Sequence, residues 1–75
     1  MMDCKVKLNK KKIGEKIYFL IERSRFTRED VATYLQLAST RVIYDWENGI
    51  KIPSTENLFN LAKFFEVQIE DILAI

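Results

Sequence analysis

Histidine is absent from this 75-residue chain, and cysteine occurs once, at Cys4. Histidine is the commonest general base and the commonest neutral metal ligand in proteins, so its absence removes both. A single cysteine cannot form an intrachain disulfide, and without histidine it completes no familiar nucleophilic triad or structural zinc site. We therefore predict no catalytic residue, no cofactor and no metal ion.

Glycine and proline are also scarce, with two and one residues, whereas 48% of the chain is apolar. This composition leaves little room for long loops and favours a single all-helical domain. A chain this short buries only about 60% of its unfolded surface, so we expect modest stability. No apolar run approaches the ~20 residues of a membrane span, and no signal peptide is recognisable. We therefore expect a cytoplasmic protein with no membrane association.

Acidic residues are scarce in the first third of the chain. Residues 1–28 hold nine of the twelve basic residues but only three of the eleven acidic ones, although the net charge of the whole chain is only +1. Such asymmetry suggests a side that faces a polyanion. A lysine run before a helix is equally typical of a solvated terminus, so charge alone does not decide.

Helical periodicity begins after residues 1–8, which we predict to form a flexible arm before a domain at residues 9–75. Asn9 is a suitable cap for a first helix from about Lys10 to Ser24. Its predicted buried stripe consists of Ile13, Ile17, Leu20 and Ile21, with Tyr18 as a further candidate. Phe26 is expected to pack inward just before the next helix.

The stretch from Thr27 to Gly49 predicts two short helices joined by a tight turn. Thr27 followed by Asp30 is a capping-box pattern and predicts where the first of these helices begins. The turn is predicted at residues 36–38. Ser39 is then the expected cap of the next helix, which Gly49 ends in a left-handed conformation.

The helix after this turn has one apolar and one polar side. Ile43 and Trp46 lie on the apolar side, and we expect the Trp46 indole to be buried against the helices that follow. The polar side carries Thr40, Arg41, Tyr44, Asp45 and Asn48. A helix of this kind suits the DNA major groove. It suits the outside of a small bundle as well, and periodicity does not separate the two.

Two more helices are predicted downstream. The residue before Pro53 is pushed out of helical conformation, which predicts an extended connector, and Ser54 can cap the fourth helix. The apolar face of that helix consists of Leu58, Leu61, Ala62 and Phe65, broadened by Phe59 and Phe64. After a turn at residues 66–67, a short fifth helix is expected behind Gln68, docked by Ile69, Ile72 and Leu73.

Several of these segments occur in the order and spacing of one known family. They are Ile13–Ile17 (IGEKI), Thr27–Ala32 (TREDVA), Ile43–Gly49 (IYDWENG), Pro53–Ala62 (PSTENLFNLA) and Val67–Leu73 (VQIEDIL). Together they resemble the Cro/C1-type (XRE-like) helix-turn-helix family of bacterial and phage repressors. The resemblance implies an all-α, five-helix, lambda-repressor-like DNA-binding domain with the helix-turn-helix at helices 2 and 3.

The resemblance also implies roles for particular residues. Base edges are expected to be contacted by Thr40, Arg41, Tyr44 and Asp45. Phosphates are expected to be contacted by Arg28, Ser39, Asn48 and Lys51. Arg41 is the principal candidate, because its planar guanidinium can pair with N7 and O6 of guanine. The alternative role for Arg41 is a surface ion pair with Asp45, four residues further on.

The sequence departs from the family pattern at three places. Arg25 stands where the family usually has a glycine, which implies mild strain or a differently closed turn. Ile21 stands where many relatives carry an arginine that pairs with the glutamate matching Glu47. We therefore expect Glu47 to be exposed or to find another partner, such as Arg23. One extra residue within Leu37–Ser39 leaves the start of the third helix uncertain by one residue.

Our interpretation is a sequence-specific regulator of transcription, a repressor, that reads the major groove of double-stranded DNA with residues 39–48. It is expected to bind its operator as a homodimer, with Leu73 and Ile75 as candidates for the dimer surface, and to be encoded by a bacterium or phage and associated with the nucleoid. Two alternatives stay open. One is the antitoxin of a toxin–antitoxin pair, with the toxin as protein partner. The other is a protein-interaction module that keeps the fold without binding DNA, which Asp45 and Glu47 favour.

Overall fold

A computed structural model describes residues 7–75, which form five helices and, within that range, no strand. The helices are α1 (Lys10–Arg23), α2 (Arg28–Leu35), α3 (Arg41–Glu47), α4 (Thr55–Phe65) and α5 (Ile69–Leu73). The predicted all-α, five-helix fold is confirmed. Most of the predicted N-terminal arm, including Cys4, lies outside the described residues. Lys7 and Leu8, its last two residues, are exposed and belong to no helix.

Side-chain caps fix where three of the helices begin. Asn9 Oδ1 accepts a hydrogen bond from the backbone N–H of Lys12 at 3.0 Å, and Ser54 Oγ accepts from Asn57 at 3.2 Å. At the start of α2 the capping box is complete. Thr27 Oγ1 accepts from the N–H of Asp30 at 3.1 Å, and Asp30 Oδ2 accepts from the N–H of Thr27 at 2.9 Å. These predicted starts are confirmed, because each cap satisfies N–H groups that have no acceptor within the helix.

The helix ends use two different kinds of closure. Gln36, Glu66 and Gly49 adopt left-handed conformations after α2, α4 and α3, with φ of 59°, 57° and 73°. After α1, by contrast, Ser24 is extended, and its hydroxyl donates to the carbonyl of Ile21 at 2.8 Å. The turn before α2 is thus closed by a side chain. Arg25 therefore does not need the left-handed conformation that a glycine would provide.

One hydrophobic core joins all five helices. Its buried residues are Ile13, Ile17, Leu20, Ile21, Val31, Ala32, Ile43, Trp46, Leu58, Leu61, Ala62 and Ile72. Gly14 lets α1 approach α3 closely, since a Cβ atom there would collide with the carbonyl oxygen of Trp46 and lie 2.8 Å from that of Glu47. This contact fixes the C-terminal half of α3 against α1.

Three aromatic residues are more exposed than predicted. Tyr18 is 51% exposed and Phe59 is 58% exposed. Each follows a buried residue by one position, which turns its side chain about 100° away from the apolar stripe. Phe26 is 42% exposed, and its ring packs on Phe64 at a centroid distance of 4.7 Å. The prediction that Phe26 packs into the core is therefore wrong, because it covers α4 from outside.

The five helices are short. None of those in residues 7–75 is long and apolar enough to cross a membrane.

Candidate nucleic-acid interface

The start of α3 agrees with the predicted cap at Ser39 within the one-residue uncertainty of its first turn. Thr40 precedes α3 and already has helical dihedral angles, φ −73° and ψ −11°. Ser39 is the last residue before helical geometry begins, and its hydroxyl accepts from the N–H of Arg41, two residues on, at 3.3 Å, as the side chain of a capping residue does. The predicted cap is therefore confirmed.

The apolar side of α3 faces the core, as predicted. Ile43 has no exposed surface and Trp46 is 2% exposed. Carbonyl oxygens of Trp46 and Glu47 abut Gly14 on α1, so both side chains and backbone hold this helix. The opposite side of α3 is consequently directed outward by packing.

Most of the predicted DNA-contacting residues lie together on that outward side. Six of the eight line one open depression, along with Ile50: Ser39, Thr40, Arg41, Tyr44, Asp45 and Asn48. Arg28 lines a neighbouring depression, which Thr40 and Tyr44 also line. Lys51 is exposed just beyond, and its backbone N–H donates to the carbonyl of Asp45 at 3.4 Å. Seven of the eight predicted residues therefore line two adjoining depressions that share Thr40 and Tyr44.

Arg41 is exposed at the start of α3. Among residues 7–75, the ion pairs within 4.0 Å both involve Arg28, so no ion pair joins Arg41 to Asp45. The alternative role for Arg41, a surface pair four residues apart, is not formed. Its guanidinium is available to an external partner.

Glu47 is nearly buried and has a partner that sequence reasoning missed. Its side chain is only 7% exposed, and its carboxylate accepts two hydrogen bonds from Arg28, from Nε at 2.8 Å and from Nη2 at 3.1 Å. Arg28 Nη2 also donates to Glu22 at 3.1 Å. The hydrogen bond to Glu47 raises the pKa of Arg28 above its ordinary value. The expectation that Glu47 pairs with another basic residue is confirmed. The other possibility, that Glu47 is exposed, is wrong, and the partner is Arg28 and not Arg23.

Two tyrosines complete the surroundings of Arg28. Its Cζ lies 5.1 Å from the ring centroid of Tyr44 and 5.7 Å from that of Tyr18, within cation–π range. The sequence offered one signal for this partner. Ile21 cannot pair with the Glu47 carboxylate, so a basic residue elsewhere in the chain has to do so. Spacing could not single out Arg28, because it lies nineteen residues before Glu47.

The surface around α3 offers polar and basic groups, with no grouping suited to a metal. Within residues 7–75, no cluster of three or more histidine, cysteine, aspartate or glutamate side chains could hold a metal ion. What the arrangement can do is present hydrogen-bonding side chains from a helix that is anchored on its other side.

A capped α2, a tight turn and an α3 with an outward polar side define a helix-turn-helix domain. The chain belongs to the XRE-type helix-turn-helix family, whose family model, described as Helix-turn-helix, matches residues 17–72. It is thus a DNA-binding regulator of transcription of that class. The resemblance to Cro/C1-type proteins is confirmed.

A solved structure supports the same fold. The chain is similar to the SOS-response transcriptional repressor LexA from Eubacterium rectale, with 25% sequence identity and a TM-score of 0.79. The similarity covers 87% of this chain and 68% of that one. A search of curated proteins gave no significant match.

Proposed function

We propose that this protein is a transcriptional repressor that binds double-stranded DNA in a sequence-specific manner and reads the major groove with residues 39–48. The observation that carries the proposal is the division of α3 into two sides. Ile43 and Trp46 are buried, while the exposed Arg41 and Tyr44 and the half-buried Thr40 and Asp45 line one depression. An α-helix fits the major groove, where each base pair presents a distinct set of donors and acceptors.

The assignment of a repressor, in place of an activator, draws on the similar structure from Eubacterium rectale, which is a transcriptional repressor. Arg41 is the proposed principal reader. Its guanidinium is free of carboxylate partners within residues 7–75 and matches guanine N7 and O6. Asp45 lies in the same depression, where it can accept a hydrogen bond from cytosine N4.

Phosphate contacts are proposed for residues at the edges of this surface. Ser39, Asn48 and Lys51 are all exposed beside α3. Arg28 has Nη1 left to donate, since its hydrogen bonds within residues 7–75 use Nε and Nη2. Contacts of this kind fix the orientation of a protein on the duplex and carry no sequence information themselves.

We propose that two copies bind one operator. A single recognition helix reads few base pairs, and dimers of this architecture place two helices about 34 Å apart. The proposed dimer surface includes Ile75, which is 59% exposed, and Leu73, which is half-buried. Light scattering after size exclusion tests this proposal. A monomer both free and on DNA would refute it.

Selection of bound sequences from a random DNA pool tests the function itself. The wild-type chain is expected to enrich a two-fold sequence, and Arg41→Ala to lose preference at one position in each half-site. Lys63→Ala is the matched control, because it removes one exposed positive charge from α4, away from this surface. Unchanged selectivity in Arg41→Ala would refute the role of Arg41.

A protein-interaction module remains the second candidate, and the presence of Asp45 on the proposed reading surface favours it. Glu47 no longer supports that alternative, since Arg28 compensates its charge. Failure of the wild-type chain to enrich any DNA would favour the module. A protein that co-purifies with the chain and whose gene adjoins its own would favour the antitoxin.

A further inference from the structure

We propose that Arg28 is a positioning residue for Tyr44 and so determines which base the Tyr44 side chain meets. This inference rests on the proposed reading of DNA by α3. It assigns to Arg28 a role in selectivity in place of the phosphate contact proposed for it above, and the test below distinguishes the two roles.

The first support is the way in which Arg28 is held. It is the first residue of α2, yet its guanidinium makes two hydrogen bonds to Glu47 on α3 and one to Glu22 on α1. The Arg28 side chain is only 17% exposed. Two parallel N–H···O bonds to one carboxylate fix the plane of the guanidinium as well as its position. Arg28 therefore links three helices in one defined orientation.

The second support is the pair of tyrosine rings that lie beside the Arg28 guanidinium. The guanidinium carbon is 5.1 Å from the centre of the Tyr44 ring, and the ring of Tyr18 is 5.7 Å away. Tyr44 is 46% exposed on the outward side of α3. An exposed tyrosine on a helix otherwise samples several rotamers. A fixed cation against its ring favours one of them and leaves the rest of the ring directed towards the groove.

The charges around Arg28 argue against a phosphate contact as its main role. One guanidinium faces two carboxylates, at 2.8 Å and 3.1 Å, so this group of three residues carries a net negative charge. A DNA phosphate brought to the same place would meet repulsion from Glu22 and Glu47. Lys51 and Arg41 have no such carboxylate partner within residues 7–75 and offer a full positive charge.

The test compares a double variant, Arg28→Gln with Glu47→Gln, with the wild-type chain. The double variant removes the cation without leaving the Glu47 carboxylate buried and unpaired, and its thermal unfolding curve verifies that it is folded. Affinity for the selected duplex, the base preference at each position and the slope of log K against log salt are measured. Tyr44→Leu serves as the reference for loss of the tyrosine. Lys51→Ala serves as the reference for loss of a phosphate contact.

The expected result is binding weaker by about two- to tenfold per subunit, because the tyrosine must be ordered on binding. The base preference should relax at the position that Tyr44→Leu also affects, and the salt slope should stay as in the wild type. Combining the double variant with Tyr44→Leu should then add no further loss.

Either of two results would overturn this inference and leave the proposed function intact. One is a uniform loss across all sequences with a slope reduced by about 0.9 per subunit, as expected for Lys51→Ala, which would make Arg28 a phosphate ligand. The other is an unchanged base preference in the double variant. If the wild-type chain binds no DNA sequence, the proposed function fails and this inference fails with it.

Discussion

Glu47 shows how a single side chain ties the stability of this domain to its binding surface. Its side chain is only 7% exposed, and Arg28, nineteen residues earlier, compensates its charge. A buried ion pair adds little net stability compared with apolar residues, but losing one member leaves the other charge without a partner. The pair thus makes the position of α3 depend on the first residue of α2.

Arg28→Ala is expected to lower the free energy of unfolding by about 2–4 kcal/mol, because the Glu47 carboxylate would stay largely buried without a donor. Chemical denaturation monitored by Trp46 fluorescence measures this change. Arg25→Ala, which removes an exposed arginine from the preceding turn, should change the free energy by less than about 0.5 kcal/mol. Equal effects of the two substitutions would show that the ion pair does not support the fold.

Gly14→Ala is expected to destabilise the protein by about 1–3 kcal/mol, since the added methyl group would overlap the carbonyl oxygens of Trp46 and Glu47. Those atoms belong to the backbone, so α1 and α3 would have to separate. Thermal unfolding measures the effect. Glu15→Ala, on the exposed side of α1, is the control. A Gly14→Ala variant as stable as wild type would contradict the close approach of the two helices.

The starts of α1, α2 and α4 could be predicted from sequence, because a cap depends on residues only three positions apart. Asn9, Thr27 and Ser54 each accept from an N–H three residues on. The start of α3 was predicted only to within one residue, because the family pattern has a shorter turn; in the structure Ser39 lies before the helix and accepts from the N–H of Arg41, and Thr40 is already helical. Local sequence patterns thus predicted the starts of these helices better than the turns that connect them.

The surface around α3, like the helix starts, could be predicted from the sequence in part. Periodicity and the family resemblance together brought Thr40, Arg41 and Tyr44 to one side, and the structure places them along one depression. The Arg28–Glu47 pair was not predictable, because it forms between side chains on different helices whose orientation depends on the packed core. The prediction that Tyr18 could be buried failed because this residue lies at the edge of the apolar stripe of α1. How far such a stripe is buried depends on the packing of the other helices, which the sequence pattern does not give.

Thr27→Ala is expected to cost about 1 kcal/mol of stability, because the N–H of Asp30 would lose its acceptor at the start of α2. Thr33→Ala is the matched control. It makes the same substitution at an exposed position inside α2, where alanine favours the helix slightly. Urea unfolding of both variants measures the difference. Equal stabilities would contradict the role of the capping box.

The whole molecule carries a near-neutral net charge of +1, so its electrostatic attraction to DNA must arise from the distribution of its charges. Basic residues are concentrated before residue 29 and acidic residues after it. A dimer that places several cationic groups against phosphates releases counterions on binding. This contribution to binding is independent of sequence and complements the selective contacts of α3.

The logarithm of the association constant is expected to fall with the logarithm of salt concentration with a slope of roughly −4 to −8, for a dimer at about −0.9 per phosphate contact. Titrations of the selected duplex at several potassium chloride concentrations measure the slope. Lys51→Ala should make it less steep, whereas Lys63→Ala should not. A slope near zero would exclude this mode of binding.

The most direct test of base reading by α3 is a double-mutant cycle between Arg41 and guanine N7. The guanine assigned to Arg41 is replaced by 7-deazaguanine, which lacks that acceptor, and affinities are measured for wild type and Arg41→Ala. We predict that the replacement costs the wild type about 1–3 kcal/mol and costs Arg41→Ala almost nothing. An equal loss in both proteins would show that Arg41 does not read this base and would contradict the central claim.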